Sequence, residues 1–126
     1  MRFRQAGTPV TFINTADRDR ALAFYCETLG FEHRSQDEFG DFIALDGALL
    51  RLTALPGYQP QPYPVLGWDV TDVAAAGAAL RERGVTFTVF EGMGQNTDGL
   101  WTSPDGKHRL LWFADPDGNV LMLSQT

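Results

Sequence analysis

Few residues of this chain belong to the types that carry out catalysis or hold metals. It has two histidines, His33 and His108, and one cysteine, Cys26. No histidine lies near Cys26 in sequence to activate it, so we predict a buried, unreactive thiol. Both histidines are predicted to lie on the surface. Ser103 and Ser124 lack a histidine and an aspartate arranged to activate them, which argues against nucleophilic catalysis.

Two charged residues, Arg51 and Asp69, are the better candidates for chemistry. Each falls in a predicted strand at a position that alternation turns away from the apolar core. With Arg51 nearby, Asp69 has the chemistry of a general base. The alternative is an internal Arg51–Asp69 ion pair that binds no ligand. The glycines at 92, 94 and 99 do not form a phosphate loop, because no strand-to-helix junction follows them.

Composition sets the class of protein. A chain of 126 residues fits one domain, and 44% apolar with 21% charged residues is typical of a soluble globular protein. Its net charge of −6 argues against nucleic acid and anionic membranes as partners. No apolar run is long enough to span a bilayer, and the N-terminal stretch is not a secretory signal. These observations predict a cytoplasmic protein without a disulfide.

The predicted secondary-structure elements that position these residues occur twice along the chain. Each copy has a strand, an aspartate that caps a helix, and a glycine that ends it. These are 9–15, Asp17 and Gly30 in the first copy, and 65–71, Asp72 and Gly84 in the second. The two capping aspartates are 55 residues apart. The match predicts a duplicated module.

Three strands follow each predicted helix. They cover about 31–36, 39–45 and 48–55 in the first copy, and about 85–91, 109–114 and 119–125 in the second. The tetrapeptides LDGA and PDGN make the last turns. A long segment at 92–107 is a lid, a binding loop or simply mobile.

The predicted fold class is therefore α+β. Two tandem βαβββ modules, at about 8–55 and 64–125 with a linker at 56–63, form curved sheets around a shared cleft in a single domain of residues 1–126.

Three stretches carry a resemblance to a known family: "DRDRALAFYCETLGFE", "DVTDVAAAGAALRERGV" and "FADPDGNVLMLSQ". They resemble the vicinal oxygen chelate superfamily over about residues 9–125. That superfamily includes glyoxalase I, extradiol dioxygenases, some fosfomycin-resistance enzymes and bleomycin-resistance binding proteins. The resemblance implies the glyoxalase/bleomycin-resistance fold and a homodimer.

Metal-dependent members of this superfamily take ligands from the first and last strands of each module, usually His or Gln and Glu. The positions that match here are Val10, Arg51, Val65 and Met122. Divalent cations bind carboxylate, imidazole or thiolate donors, so these four side chains predict no metal and no cofactor. Met122 fills core space or plugs the place of an ion.

Strand alternation then predicts the lining of a ligand-binding cleft. It mixes apolar and polar side chains, as small-molecule sites do. The predicted lining is Val10, Phe12, Asn14, Arg51, Val65, Asp69, Trp101, Trp112, Met122 and Ser124. Two alternatives stay open: Trp112 faces the helix instead, and Trp101 pins the loop.

Three functions compete on this basis. The first is a metal-free small-molecule binder similar to bleomycin-resistance proteins, in which Arg51 favours a carboxylate or phenolate on the ligand. The second is an enzyme, either a glyoxalase I-like lyase or a dioxygenase. The third is an accessory domain with a vestigial cleft. The first is our preferred prediction.

Overall fold

The computed structural model describes residues 2–126. It divides the chain into two compact units that meet between Gln59 and Pro60, inside the predicted linker. Within the described residues, no helix is both long and apolar enough to cross a bilayer.

The first unit is one βαβββ module. Its elements are β1 (Val10–Thr15), α1 (Arg18–Ala23), β2 (Glu32–Gln36), β3 (Gly40–Ala44) and β4 (Leu49–Ala54). After α1 the chain widens for one turn over Phe24–Thr28, where the Leu29 N–H donates to the Phe24 carbonyl. The strand order is β1-β4-β3-β2, and β1 runs parallel to β4.

The second unit repeats this topology. It contains β5 (Pro64–Asp69), α2 (Val73–Glu82), β6 (Trp101–Thr102), β7 (Arg109–Ala114) and β8 (Val120–Gln125). The strand order is β5-β8-β7-β6, with β5 parallel to β8. The predicted α+β class with two tandem modules is confirmed.

The predicted helix caps are present in both modules. The Asp17 carboxylate accepts from the Arg20 N–H, and the Asp72 carboxylate accepts from the Ala75 N–H, at 3.2 and 3.0 Å. Each carboxylate satisfies a donor that the first helical turn leaves free. Gly30 follows the first helix in the left-handed region, at φ +85°.

The predicted LDGA turn is a two-residue hairpin between β3 and β4. Asp46 and Gly47 both have positive φ, at 55° and 106°, and the Leu45 N–H donates to the Ala48 carbonyl at 2.9 Å. Positive φ at both central positions matches the right-handed twist of the flanking strands.

Each sheet buries one face against its own helix. In the first module Ile13, Leu50 and Leu52 are at most 2% exposed. In the second module the equivalent core residues are Leu111, Phe113, Leu121 and Leu123. The predicted phasing of the strands that end each module is therefore confirmed, because the alternate residues lie on the opposite face.

One predicted strand is wrong. Residues 85–91 form no ladder; they make a single bridge, Phe87 to Phe113, to which the hydrogen bond from the Thr88 N–H to the Trp112 carbonyl at 2.7 Å belongs. The edge position next to β7 belongs to Trp101–Thr102, which pairs with Leu110 and Arg109. The long insert supplies the edge strand because it folds back onto the sheet before β7 begins.

Candidate functional site

The face of the first sheet that points away from α1, hereafter the first open face, carries four of the predicted residues. Its central row joins Phe12, Arg51 and Phe42 across β1, β4 and β3. The neighbouring rows contain Val10 opposite Leu49 and Asn14 opposite Thr53. Val10 is 37% and Phe12 72% exposed. Two apolar side chains thus lie open beside one arginine.

The guanidinium of Arg51 is held on two sides. Nη2 donates to Asp37 Oδ1 at 2.8 Å, and the guanidinium carbon lies 4.7 Å from the centroid of the Phe42 ring. The Arg51 side chain is 12% exposed. Its Nη1 atom is buried and has no hydrogen-bond partner among residues 2–126. The ion-pair partner of Arg51 within its own module is therefore Asp37.

Asp37 accepts more than one hydrogen bond in its ionised form. Oδ1 also accepts from the backbone N–H groups of Phe39 and Gly40, at 2.9 and 3.0 Å. The Arg51 hydrogen bond, followed by that of Phe39, lowers the pKa of Asp37 to about 2. Asp37 is therefore the ionised partner of Arg51 at any ordinary pH.

This pKa predicts an acid-sensitive contribution to stability. A carboxyl whose pKa is lowered on folding stabilises the native state above its ordinary pKa, and the contribution disappears as the pH falls towards the folded value. Chemical denaturation measures the free energy of unfolding of the native chain and of Asp37→Asn. The difference between the two free energies is expected to be largest at pH 6 and to shrink progressively from about pH 4 down to pH 2. Glu38→Gln, at the adjacent exposed position, is the control and is expected to change little at either pH. A difference that does not narrow in acid would contradict the assignment.

A second polar cluster lies behind the first open face. Asp41 is 1% exposed; its Oδ2 accepts from Arg18 Nε and its Oδ1 lies against His33 Nε2, each at 2.9 Å. His33 was expected to be a simple surface histidine, and its side chain is 35% exposed but paired. The sequence reasoning missed Arg18, Asp37 and Asp41. One signal was available: alternation in β3 puts Asp41 on the same side as Ile43, where a carboxylate needs donors.

A cavity of about 380 Å³ opens at the end of the first sheet beside the β3–β4 turn. Glu32, Arg34, Asp46 and Leu49 contribute to its lining. None of the ten predicted cleft residues lines it. Leu49 lies opposite Val10, so the cavity borders the first open face.

The second sheet also has a face that points away from its helix, hereafter the second open face. Its central row joins Gly67, Met122 and Trp112 across β5, β8 and β7. Trp112 therefore lies on the same face of the sheet as Met122. This placement rules out the alternative that Trp112 faces the helix. Trp112 is only 8% exposed, because Phe90 packs edge-on against it with 5.6 Å between ring centroids.

The next row of the second open face is more polar. It joins Asp69, Ser124, Leu110 and Trp101. Ser124 Oγ donates to Asp69 Oδ1 over a long 3.4 Å. Trp101 is half-buried and belongs to β6 rather than to an irregular loop. Val65 is half-buried at the irregularity between Pro64 and Leu66, which interrupts the regular alternation.

A side-chain amide organises the segment that was expected to be a strand. Gln95 Oε1 accepts from the Phe90 N–H at 2.7 Å, and Gln95 Nε2 donates to the carbonyls of Thr88 and Gly99 at 2.9 and 2.7 Å. The Gln95 amide supplies backbone hydrogen bonds that a neighbouring strand would otherwise supply. It therefore holds the loop that carries Phe90 against Trp112.

We expect Gln95→Ala to loosen this loop without unfolding the module. Amide hydrogen exchange at Phe90 should accelerate at least tenfold, because its acceptor is removed, while exchange in β7 and β8 stays slow. Gln95→Glu is the matched control: it keeps the acceptor for Phe90 but not the donors to Thr88 and Gly99. Its acceleration at Phe90 should be smaller than that of the alanine variant. Equal exchange in all three proteins would show that Gln95 does not hold the loop.

Ser103 and Cys26, two side chains of nucleophilic type, lie in surroundings that do not activate them. Ser103 Oγ donates to Asp105 at 2.6 Å and accepts from the His108 backbone N–H at 3.0 Å, so it belongs to a turn. Cys26 is half-buried rather than fully buried. Burial, then the charges of Asp41 and Glu27, raise the pKa of the Cys26 thiol, which keeps it protonated.

A model of the Glyoxalase/Bleomycin resistance protein/Dioxygenase superfamily matches residues 7–123. The chain belongs to this superfamily. The predicted resemblance is thereby confirmed. Among curated protein sequences, none matches the chain significantly.

Solved structures of the superfamily resemble the whole chain. A superfamily member from Sphaerobacter thermophilus DSM 20745 is 29% identical with a TM-score of 0.68, covering 95% of this chain and 97% of its own. TnmS3, an antibiotic binding protein from Streptomyces sp. CB03234, is 27% identical with a TM-score of 0.65, and 94% of each chain is covered. A superfamily protein from Alicyclobacillus acidocaldarius has a TM-score of 0.74 at 19% identity, covering 94% of this chain and 90% of that one, which supports the fold alone.

The donor set of this superfamily member does not fit a divalent metal. Of the four positions at which metal-dependent relatives are expected to supply ligands, three hold valine or methionine and the fourth holds Arg51, whose charge repels a cation. Among residues 2–126, no three His, Cys, Asp or Glu side chains are grouped closely enough to hold a metal ion.

Proposed function

We propose that this superfamily member binds a small organic ligand without a metal ion, as a sequestering protein rather than a metal-dependent enzyme. The observation that carries the proposal is Arg51: a fixed cationic side chain, 12% exposed, at a position where a metal-binding relative needs an acid. The antibiotic-binding relative TnmS3 supports this choice within a superfamily that also contains enzymes.

The chemistry of the first open face supports an aromatic ligand with a polar oxygen. Val10 and Phe12 offer exposed apolar surface on this face, in the rows that contain and adjoin Arg51. A guanidinium favours carboxylate or phenolate oxygens as acceptors. An acceptor for the buried Nη1 of Arg51 would offset the cost of leaving that donor unpaired, about 1–3 kcal/mol.

Thermal-shift screening tests this proposal. A panel that pairs aromatic carboxylates and phenols with their neutral analogues, and that includes bleomycin, is expected to contain compounds that raise the Tm. At 100 times its Kd, a ligand stabilises the native state by about 2.7 kcal/mol. The absence of stabilisation by any compound would argue against a binding role, and elemental analysis showing a stoichiometric transition metal would argue against the metal-free assignment.

Arg51→Met is the decisive variant for the role of Arg51. It gives the first module the residue that the second module has at Met122, so shape is largely kept while the donors are lost. Binding of the acidic compounds should weaken at least tenfold, and binding of the neutral analogues should weaken less. Arg4→Met, at an exposed position before β1, is the matched control and should bind as the native chain does. Equal loss for acidic and neutral compounds would show that Arg51 does not select the oxygen.

We further propose that the chain forms a homodimer, as its superfamily resemblance implies. Phe12, 72% exposed on the edge strand β1, is an apolar side chain that association would cover. Multi-angle light scattering is expected to give twice the chain mass of 13.9 kDa. A monomer at micromolar concentration would contradict this part of the proposal.

A further inference from the structure

Arg18 connects the helix side of the first sheet to the loop that holds Arg51. Its Nε donates to buried Asp41, and its Nη2 donates to two backbone carbonyls, those of Asp37 and Gly40, each at 2.7 Å. One guanidinium therefore makes three hydrogen bonds in fixed directions, which its planar geometry permits and a lysine ammonium does not reproduce.

The partner of Arg18 is placed so that the guanidinium has little freedom. Asp41 is 1% exposed and is also bonded to His33, so both carboxylate oxygens are used. Losing a donor would leave the buried Asp41 carboxylate without compensation for its desolvation. The observed Arg18–Asp41 geometry is therefore strongly preferred.

The loop residue Asp37 is held from both faces of the sheet. Its carbonyl oxygen accepts from Arg18 on the helix side, and its carboxylate accepts from Arg51 on the first open face. Alternation in β3 establishes the two sides, since Asp41 and Phe42 are consecutive and Phe42 shares a row with Arg51. Both arginines thus donate to Asp37.

We propose that Arg18, fixed by Asp41, is a positioning residue for Arg51, acting through the 37–40 loop. Removing the Arg18 hydrogen bonds to the loop carbonyls would let the Asp37 carboxylate move, and Arg51 would lose the orientation in which it meets a ligand. The inference rests on the proposed function only in treating Arg51 as the residue that contacts ligand.

The test uses Arg18→Lys and needs no ligand. Lysine keeps a positive charge beside Asp41 but has one donor atom in place of Nε and Nη2, so it does not reproduce the three hydrogen bonds in their directions. In a carboxyl-carbon NMR titration, the pKa of Asp37 should rise from about 2 towards the ordinary aspartate value, and hydrogen exchange of the Arg51 Nη2 protons, which donate to Asp37, should accelerate at least tenfold. The carboxyl of Asp105, whose pKa is lowered by Ser103 in the other module, should titrate as in the native chain.

An unchanged Asp37 titration and an unchanged Arg51 exchange rate in folded Arg18→Lys would overturn the proposal and leave Arg18 as a structural brace only. If Arg18→Lys does not fold, Asp41→Asn replaces it. That variant removes a buried charge, and Arg18 at 29% exposure can still be solvated. It should raise the pKa of Asp37 by a smaller amount, and no rise would overturn the proposal. Failure of the positioning role proposed for Arg18 is distinguishable from failure of the proposed function, because the ligand panel tests the function separately.

Discussion

Gly40→Ala is expected to destabilise the protein by about 3 kcal/mol, since a new side chain there would meet backbone rather than a movable side chain. A Cβ on Gly40 would overlap the carbonyl oxygen of Leu52 and lie 3.0 Å from the Thr53 Cα. Both belong to β4, so relief requires β3 and β4 to separate. The free energy of unfolding from denaturant titration measures the effect.

The same substitution should disturb Arg51. Gly40 supplies an N–H to the Asp37 carboxylate and a carbonyl to Arg18, so separating the strands moves both groups. The matched control is Gly7→Ala: no heavy atom lies within 4 Å of a Cβ at Gly7, and its backbone is not in the left-handed region. That variant should stay within about 0.5 kcal/mol of the native chain. Equal stability of the two variants would show that the close approach of β3 and β4 is not as described.

Asp115→Ala is expected to cost about 2–4 kcal/mol, because it removes the buried acceptor of the turn before β8. Asp115 is 4% exposed and accepts from the backbone N–H groups of Asp117 and Asn119 at 3.0 and 2.9 Å. Its second oxygen accepts from the side-chain amide of Asn119, itself 1% exposed, at 2.8 Å. The midpoint of chemical denaturation measures the loss.

Asp105→Ala is the control for that prediction. Asp105 accepts from the Lys107 N–H and from Ser103 in a similar turn, but the turn is exposed to water. Water can replace the lost acceptor there, so the loss of stability should be much smaller. Comparable losses for the two variants would mean that burial of the Asp115–Asn119 pair is not what stabilises the turn.

The local signals in the chain were sufficient for the two modules, their helix ends and the hairpin turn of the first module. Asp17 and Asp72 cap helices, LDGA turns a hairpin, and alternation in the strands separates the buried face from the open face, because each of these effects depends only on neighbouring residues. The predicted strand at 85–91 failed for the opposite reason. Its β-branched and aromatic composition is suited to a ladder, but whether a ladder forms depends on a partner distant in sequence, and the Gln95 amide occupies that place.

The same distinction between local and tertiary effects applies to the candidate site. Placement of Arg51 and Met122 at equivalent positions of two modules follows from the repeat and from strand periodicity. The four metal-ligand positions are what the superfamily resemblance implies, and their unsuitability follows from residue type. The ion pair of Arg51 with Asp37, its stacking over Phe42 and the Arg18–Asp41 brace were decided by the tertiary structure.

The sequence by itself therefore determined the two modules, their helix ends and turns, and which side chains of the paired strands share a face. Those properties arise from backbone geometry and from interactions over a few residues. Only the tertiary structure decided how Arg51 is paired, oriented and buried. Its partners come from a loop and the neighbouring strand β3, and the energy of a hydrogen-bonded ion pair depends on distances that no local pattern specifies.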